Sequence, residues 1–174
     1  MKTEILITGA TGTTSQYAIQ HLLNKGIKVR AMVRTLDERS KVLEAKGVEI
    51  VQGDFLNIDS LRAALDGIQS TYFLYPFKDY LPKAAAYFAK VAKEKNVEMV
   101  VEMSQMGANE NTPSPATQNH VITEHIFDWA NVGAVHLKPG LFAWNYLGFA
   151  APTVIDHQKF YYPHPESKYT IIHW

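Results

Sequence analysis

Six short runs rich in β-branched and apolar residues, at 5–7, 28–33, 49–51, 71–74, 99–101 and 134–137, alternate with five stretches of helical pattern, at 14–24, 38–45, 60–65, 80–94 and 121–129. The runs are apolar almost throughout instead of polar at every second residue, which is the pattern of strands covered on both faces. Strands of that kind, each followed by a helix, fit a parallel sheet whose crossovers lay helices against both sides. The expected fold is therefore α/β, a Rossmann-type doubly wound parallel sheet with right-handed crossovers. Lys25-Gly26 and Lys46-Gly47 stand where helix stops belong, each just before the next strand.

Composition narrows the function. With 174 residues, 47% of them hydrophobic and 20% charged, the chain can bury one sizeable core. Its 17 basic residues balance 17 acidic ones, so no overall field favours nucleic acid or an anionic membrane surface as partner. The absence of cysteine excludes disulfides and thiolate metal sites. No apolar run is long enough to span a bilayer, and Met1 to Ile5 leads straight into a strand pattern, so a cytoplasmic location is expected.

The first strand ends in Thr8-Gly9-Ala10-Thr11-Gly12-Thr13-Thr14-Ser15, which opens the first helix. Strand, glycine turn and helix in that order make a phosphate-binding fingerprint. Gly9 permits a tight turn, Gly12 lets a diphosphate approach the backbone, and Thr11, Thr13 and Thr14 border the helix N-terminus, whose N–H groups and partial positive charge suit an anion. Ser15 stands at the third glycine position and is small enough for close packing of helix on strand. At the end of the second strand, where a carboxylate would accept from a ribose 2′-hydroxyl, the chain has Arg34. A guanidinium suits a 2′-phosphate, so NADP(H) is the expected dinucleotide. The competing reading of Arg34 is a surface arginine paired with Asp37 or Glu38.

These residues, together with Gly53-Asp54-Phe55 followed by Ser60-Leu61, Ser104 after the fifth strand, His120-Val121-Ile122-Thr123-Glu124 and Leu137-Lys138-Pro139-Gly140-Leu141-Phe142, resemble the NmrA-like atypical short-chain dehydrogenase/reductases, in particular their type-2 NADPH:quinone reductase and triphenylmethane reductase branch. The resemblance implies that Asp54 faces the adenine amine and that Phe55 contacts adenine through its backbone. Tyr75, Pro76 and Phe77 follow the fourth strand and are expected beside the cofactor at the carboxyl edge, although an aromatic plug explains Tyr75 and Phe77 equally well. The Tyr-x-x-x-Lys pair of standard superfamily members is missing: aligned on Glu124, the lysine position holds His120 and the tyrosine position Ala116. No catalytic acid is thus assigned. Ser104, His120 and Phe142 are the expected substrate-facing residues, with Glu124 one helical turn from His120 and able to orient it. His120, Glu124 and His125 have the wrong spacing for a zinc helix motif, so no metal site is expected.

After Gly140 the rhythm changes to aromatics and prolines, including Phe142, Trp144, Tyr146, Phe149, Phe160, Tyr161 and Tyr162. Residues 1–140 are read as the NADP(H)-binding domain and 141–174 as the start of a substrate-side lobe, incomplete beside proteins of the family, with self-association a consequence of its exposed apolar surface. The function implied is an NADPH-dependent oxidoreductase passing hydride to a quinone or similar planar electrophile; the alternative is an NADP(H)-binding redox sensor without catalysis.

Overall fold

The computed structural model describes residues 5–76, 80–159 and 171–172. Six strands, β1 (Ile5–Ile7), β2 (Val29–Val33), β3 (Glu49–Gln52), β4 (Ser70–Phe73), β5 (Met99–Met103) and β6 (Ala134–Leu137), form one sheet in the order β3-β2-β1-β4-β5-β6. Every neighbouring pair is parallel. The intervening helices are α1 (Thr13–Asn24), α2 (Glu38–Ala45), α3 (Ile58–Ala64), α4 (Leu81–Glu94) and α5 (Pro115–Ala130). The strand order reverses between β1 and β4, and a crevice opens at such a switch point beyond the carboxyl ends of the strands.

Two apolar layers cover the sheet, as strands without polar alternation require. On one face Leu6, Met32, Phe73 and Val100 pack against Leu61, Leu65, Phe88, Val91 and Phe127 of α3, α4 and α5. On the other, Ile7, Val29, Ala31, Val33 and Tyr72 pack with Ile19 of α1 and Leu43 of α2. The switch point is pinned by Thr8, whose buried hydroxyl lies 3.2 Å from Tyr72 O and 3.1 Å from Leu74 O and accepts from Leu74 N at 2.8 Å.

Helix starts follow their caps. Asp37 and Ser40 form a reciprocal capping box on α2, and Asn57 caps α3 through Ser60 N. The helix expected at 121–129 is corrected: α5 begins six residues earlier, at Pro115, with Ser114 accepting from Thr117 N. Proline belongs in a helix's first turn because its missing N–H would have no partner there, so Pro115 can start this helix.

Beyond the sheet, β7 (Leu141–Phe142) leads directly into α6 (Ala143–His157) and pairs in parallel with β8 (Ile171–Ile172), separately from the six strands. The side chains of Tyr146 and Phe149, and residues Phe160, Tyr161 and Tyr162, lie outside what is described, as does Phe77.

Candidate functional site

The carboxyl ends of β1 to β4 and the loops after them surround a cleft of about 470 Å³. Gly9, Ala10 and Thr11 form one wall; Val33, Arg34, Thr35 and Arg39 a second; Gly53, Asp54, Phe55 and Leu56 a third; Tyr75, Pro76 and Tyr80 close it on the β4 side. The glycines are required by close approach. Gly9 has φ +59°, and a Cβ there would sit 2.8 Å from Leu74 Cδ2; one at Gly12 would sit 3.1 Å from Gly9 O.

At the end of this wall α1 starts on Gly12 without a side-chain cap and without an acidic residue in its first turn. α4 also starts without a side-chain cap, whereas α2, α3 and α5 are capped by Asp37, Asn57 and Ser114. The opening amides of α1 therefore face outward with the positive end of the helix dipole behind them, and an anion can bind there without displacing a protein acceptor.

Charges around the cleft are divided. Asp37 pairs with Arg39 at 2.6 Å and Glu38 with Lys41 at 2.6 Å. Arg34 makes no ion pair with any described residue, so the paired-surface reading of Arg34 loses both its candidate partners. Asp54 ends in a tight turn: its Oδ1 accepts from Leu56 N at 2.8 Å while Ser60 Oγ accepts from Asp54 N at 3.0 Å. Phe55 packs edge-on to Tyr75, ring centroids 5.0 Å apart. Burial, with Asp54 and Tyr80 nearby, raises the Tyr75 pKa against the opposing charge of Arg34, so that phenol stays neutral.

A second cluster sits one strand further along the same edge. Ser104, directly after β5, donates to Glu124 Oε1 of α5 at 2.5 Å. The Lys138 ammonium, directly after β6, lies 2.8 Å from Glu124 Oε2 and donates to Ala108 O at 3.2 Å. His120 is buried one turn earlier on α5; burial lowers its pKa and Glu124 raises it by less, so the ring is neutral near pH 7. Ala116 is half-buried a further turn back.

Sequence reading named Gly9, Thr11, Arg34, Asp54, Phe55, Tyr75 and Pro76, and the structure brings all of them to one cleft. Gly12, Thr13 and Thr14 lie at the adjoining helix start rather than on the cleft wall. Ser104 and His120 are placed around Glu124, whereas Phe142, half-buried on β7, is not among the cleft residues. Trp144 is 69% exposed. Thr35, Arg39 and Tyr80 were missed, and so was Lys138. The available signal for Lys138 was its position at the end of a strand, on the same edge as Ser104.

Comparison with known proteins agrees with this geometry. An NAD(P)H azoreductase of Xenophilus azovorans is 25% identical over 164 residues, covering 94% of this chain and 57% of its own. Quinone oxidoreductase 2 of Escherichia coli K12 is 26% identical over 160 residues, covering 90% of this chain and 54% of its own. The solved Citrobacter sp. triphenylmethane reductase, complexed with NADP(H), superposes with a TM-score of 0.74 at 27% identity, over 86% of this chain and 55% of its own. The chain thus spans about half the length of the relatives it matches. The model of a family described as NAD(P)H-binding matches residues 9–164. The chain belongs to that NAD(P)H-binding family, and its relatives are those of an NmrA-like atypical short-chain dehydrogenase/reductase.

Proposed function

We propose that this chain holds NADP(H) along the carboxyl edge of its sheet and forms the cofactor-binding part of an oxidoreductase that reduces a quinone or similar planar electrophile. The observation that carries the reading is the order of features along one sheet edge: a cleft holding Arg34, which has no ion-pair partner among the described residues, then the uncapped start of α1 adjoining it, then a serine-carboxylate-lysine cluster one strand further. In this reading Arg34, with Arg39 and Thr35 beside it, receives the 2′-phosphate, since a forked guanidinium matches phosphate oxygens and a carboxylate at that place would repel them. Asp54, Phe55, Tyr75 and Tyr80 enclose the adenosine half. Gly9, Thr11, Gly12, Thr13 and Thr14 present backbone amides to the diphosphate. Pro76 closes the β4 side, and Ser104, His120 and Phe142 face the acceptor.

Bound NADPH supplies the hydride; the chain orients it and manages the accompanying proton. In this reading residues 1–140 are the cofactor-holding unit and 141–174 contribute to the acceptor side. The relatives' acceptors, named as quinones, azo compounds and triphenylmethane dyes, support a flat, readily reduced substrate, for which the missing Tyr-x-x-x-Lys pair matters less. The test is to mix the protein with NADPH and a panel of quinones and triphenylmethane dyes and follow the nicotinamide absorbance. Acceptor-dependent loss of absorbance is expected; binding of NADPH with no loss for any acceptor would favour the redox sensor instead.

A further inference from the structure

Two residues before Ser104 on β5 lies a buried acid with one carboxyl oxygen left without a partner among the described residues. Glu102 is fully buried on β5, two residues before Ser104 and therefore on the same face of the strand. Its Oε2 lies 2.6 Å from His136 Nδ1 of β6, and His136 Nε2 lies 3.0 Å from Asp128 Oδ1 of α5. Its other oxygen, Oε1, has no hydrogen-bond partner among the described residues. An imidazole between two carboxylates needs a proton on each facing nitrogen, or a proton on one of the acids, so this trio binds one exchangeable proton in either arrangement. Asp128 is more than half exposed and His136 mostly buried, so the trio runs from solvent to the interior.

The Ser104 hydroxyl has a single hydrogen. When it goes to the Glu124 carboxylate, Ser104 offers its surroundings only lone pairs. Were Glu124 protonated, its own O–H could donate to Ser104 Oγ and free the serine hydrogen to point elsewhere. The charge state of Glu124 thus decides whether Ser104 donates or accepts. The groups that face this centre are Glu102 from β5, His136 and Lys138 from β6 and the turn after it, and His120, Glu124 and Asp128 from α5. Glu102 interacts electrostatically with both Glu124, which raises its pKa, and Lys138, which lowers it.

We infer that Glu102 and His136 store the proton that Glu124 passes through Ser104 to the reduced acceptor, doing the work of the absent tyrosine and lysine. The inference rests on the reductase reading. Two-electron reduction leaves an anion on the acceptor oxygen or nitrogen; that atom takes the Ser104 hydrogen, Ser104 takes the Glu124 proton, and Glu124 is left as the carboxylate paired to Lys138. One proton is consumed per hydride delivered and is replaced from solvent by way of Asp128, His136 and Glu102; no hydrogen bond joins Glu102 to Glu124 among the described residues, so the last transfer runs from the unpartnered Glu102 Oε1 through a bridging water. Glu124 accepting from both Ser104 and Lys138 is then the discharged form of the relay. Burial holds Glu102 protonated to about pH 7, which keeps the store filled under ordinary conditions.

The experiment pairs a turnover assay with a titration that needs no turnover. Glu124→Gln keeps the shape but accepts at only one of the two positions that Ser104 and Lys138 now occupy, and it cannot carry the proton. It is expected to lower kcat with NADPH and a quinone by about a hundredfold, as for loss of a general acid, with NADPH affinity by calorimetry unchanged. In parallel, infrared titration of the resting protein should show a protonated carboxyl band that Glu102→Gln abolishes. The midpoint of that band should move to lower pH in Glu124→Gln, where a like charge is lost, and to higher pH in Lys138→Met. Full turnover in Glu124→Gln, or a Glu102 that is ionised throughout or indifferent to both substitutions, overturns the relay alone. No NADPH oxidation by the unaltered protein overturns the reductase reading, and with it the relay's part in turnover.

Discussion

Replacing Gly9 by alanine tests whether the turn is shaped by close approach or only by backbone freedom. Gly9 has φ +59°, and its added Cβ would meet Leu74 Cδ2 at 2.8 Å and Leu74 O at 3.2 Å. Gly26 also has positive φ, +72°, but nothing lies within 4 Å of its Cβ position. Gly26→Ala therefore measures the left-handed backbone cost alone, roughly 1–2 kcal/mol, partly offset by the stiffer unfolded chain. Gly9→Ala adds an overpacking cost of about 1–3 kcal/mol, because the Leu74 side chain can rotate away while its carbonyl cannot. Leu74 N is already committed to Thr8 Oγ1, so moving that backbone also strains the β1 to β4 junction. Urea denaturation at constant m should place Gly9→Ala below Gly26→Ala by about 1–3 kcal/mol. Calorimetry should show NADPH affinity reduced by at least about tenfold in Gly9→Ala and unchanged in Gly26→Ala. Equal destabilisation of the two variants, with NADPH binding intact in both, would refute the close-approach argument.

Thr8→Val keeps the shape but leaves Leu74 N without its acceptor; a loss of about 1–3 kcal/mol in urea unfolding is expected, and no loss would mean that the junction does not depend on this hydroxyl. Stability should also fall as pH rises above 6.5. Glu102 is raised by burial from 4.5 to about 7, so from about pH 4.5 up to 7 the folded protein keeps a proton the unfolded chain has released, and the last of that advantage disappears between 6.5 and about 8. Burial lowers the His136 pKa, but its bonds to Asp128 and Glu102 raise it on balance; it shares with Glu102 the one proton of the trio, so the two count as a single contribution of the same sign, lost as pH rises. His120, lowered by burial, acts in the opposite sense but only below 6.5. Urea midpoints measured between about pH 6.5 and 8.5 should decline in the wild type and flatten in Glu102→Gln; a rising midpoint would contradict the assignment.

The alternation of strands and helices was legible because each strand carries apolar residues on both faces, and Ile7, Val29 and Phe73 are indeed buried in two separate layers. The glycine turn was legible for a similar reason: only glycine tolerates the conformation of Gly9 beside Leu74. Helix starts were less so. Pro115 can end one element or begin another, and the choice depended on Ser114 finding Thr117 N, which is a matter of three-dimensional geometry. Arg34 stood out by position, whereas Arg39 lines the cleft from the first turn of α2, just inside the Asp37 capping box. Ser104, Glu124 and Lys138 are 20 and 14 residues apart along the chain and meet because β5, α5 and β6 converge at one edge. Nothing in local periodicity reports such a meeting. Likewise the Glu102 to His136 contact follows from the β5 and β6 register, in which these two residues are direct neighbours.

The central claim is that this cleft selects NADP(H) through Arg34, and calorimetric titration of NADPH and NADH into the protein and into Arg34→Ala tests it most directly. NADPH should bind the wild type more tightly than NADH. Arg34→Ala should lose about 2 kcal/mol, roughly thirtyfold, for NADPH and almost nothing for NADH, as expected from removal of one charge-assisted contact to a phosphate. Equal losses for the two nucleotides, or no binding of either by the wild type, would contradict the account.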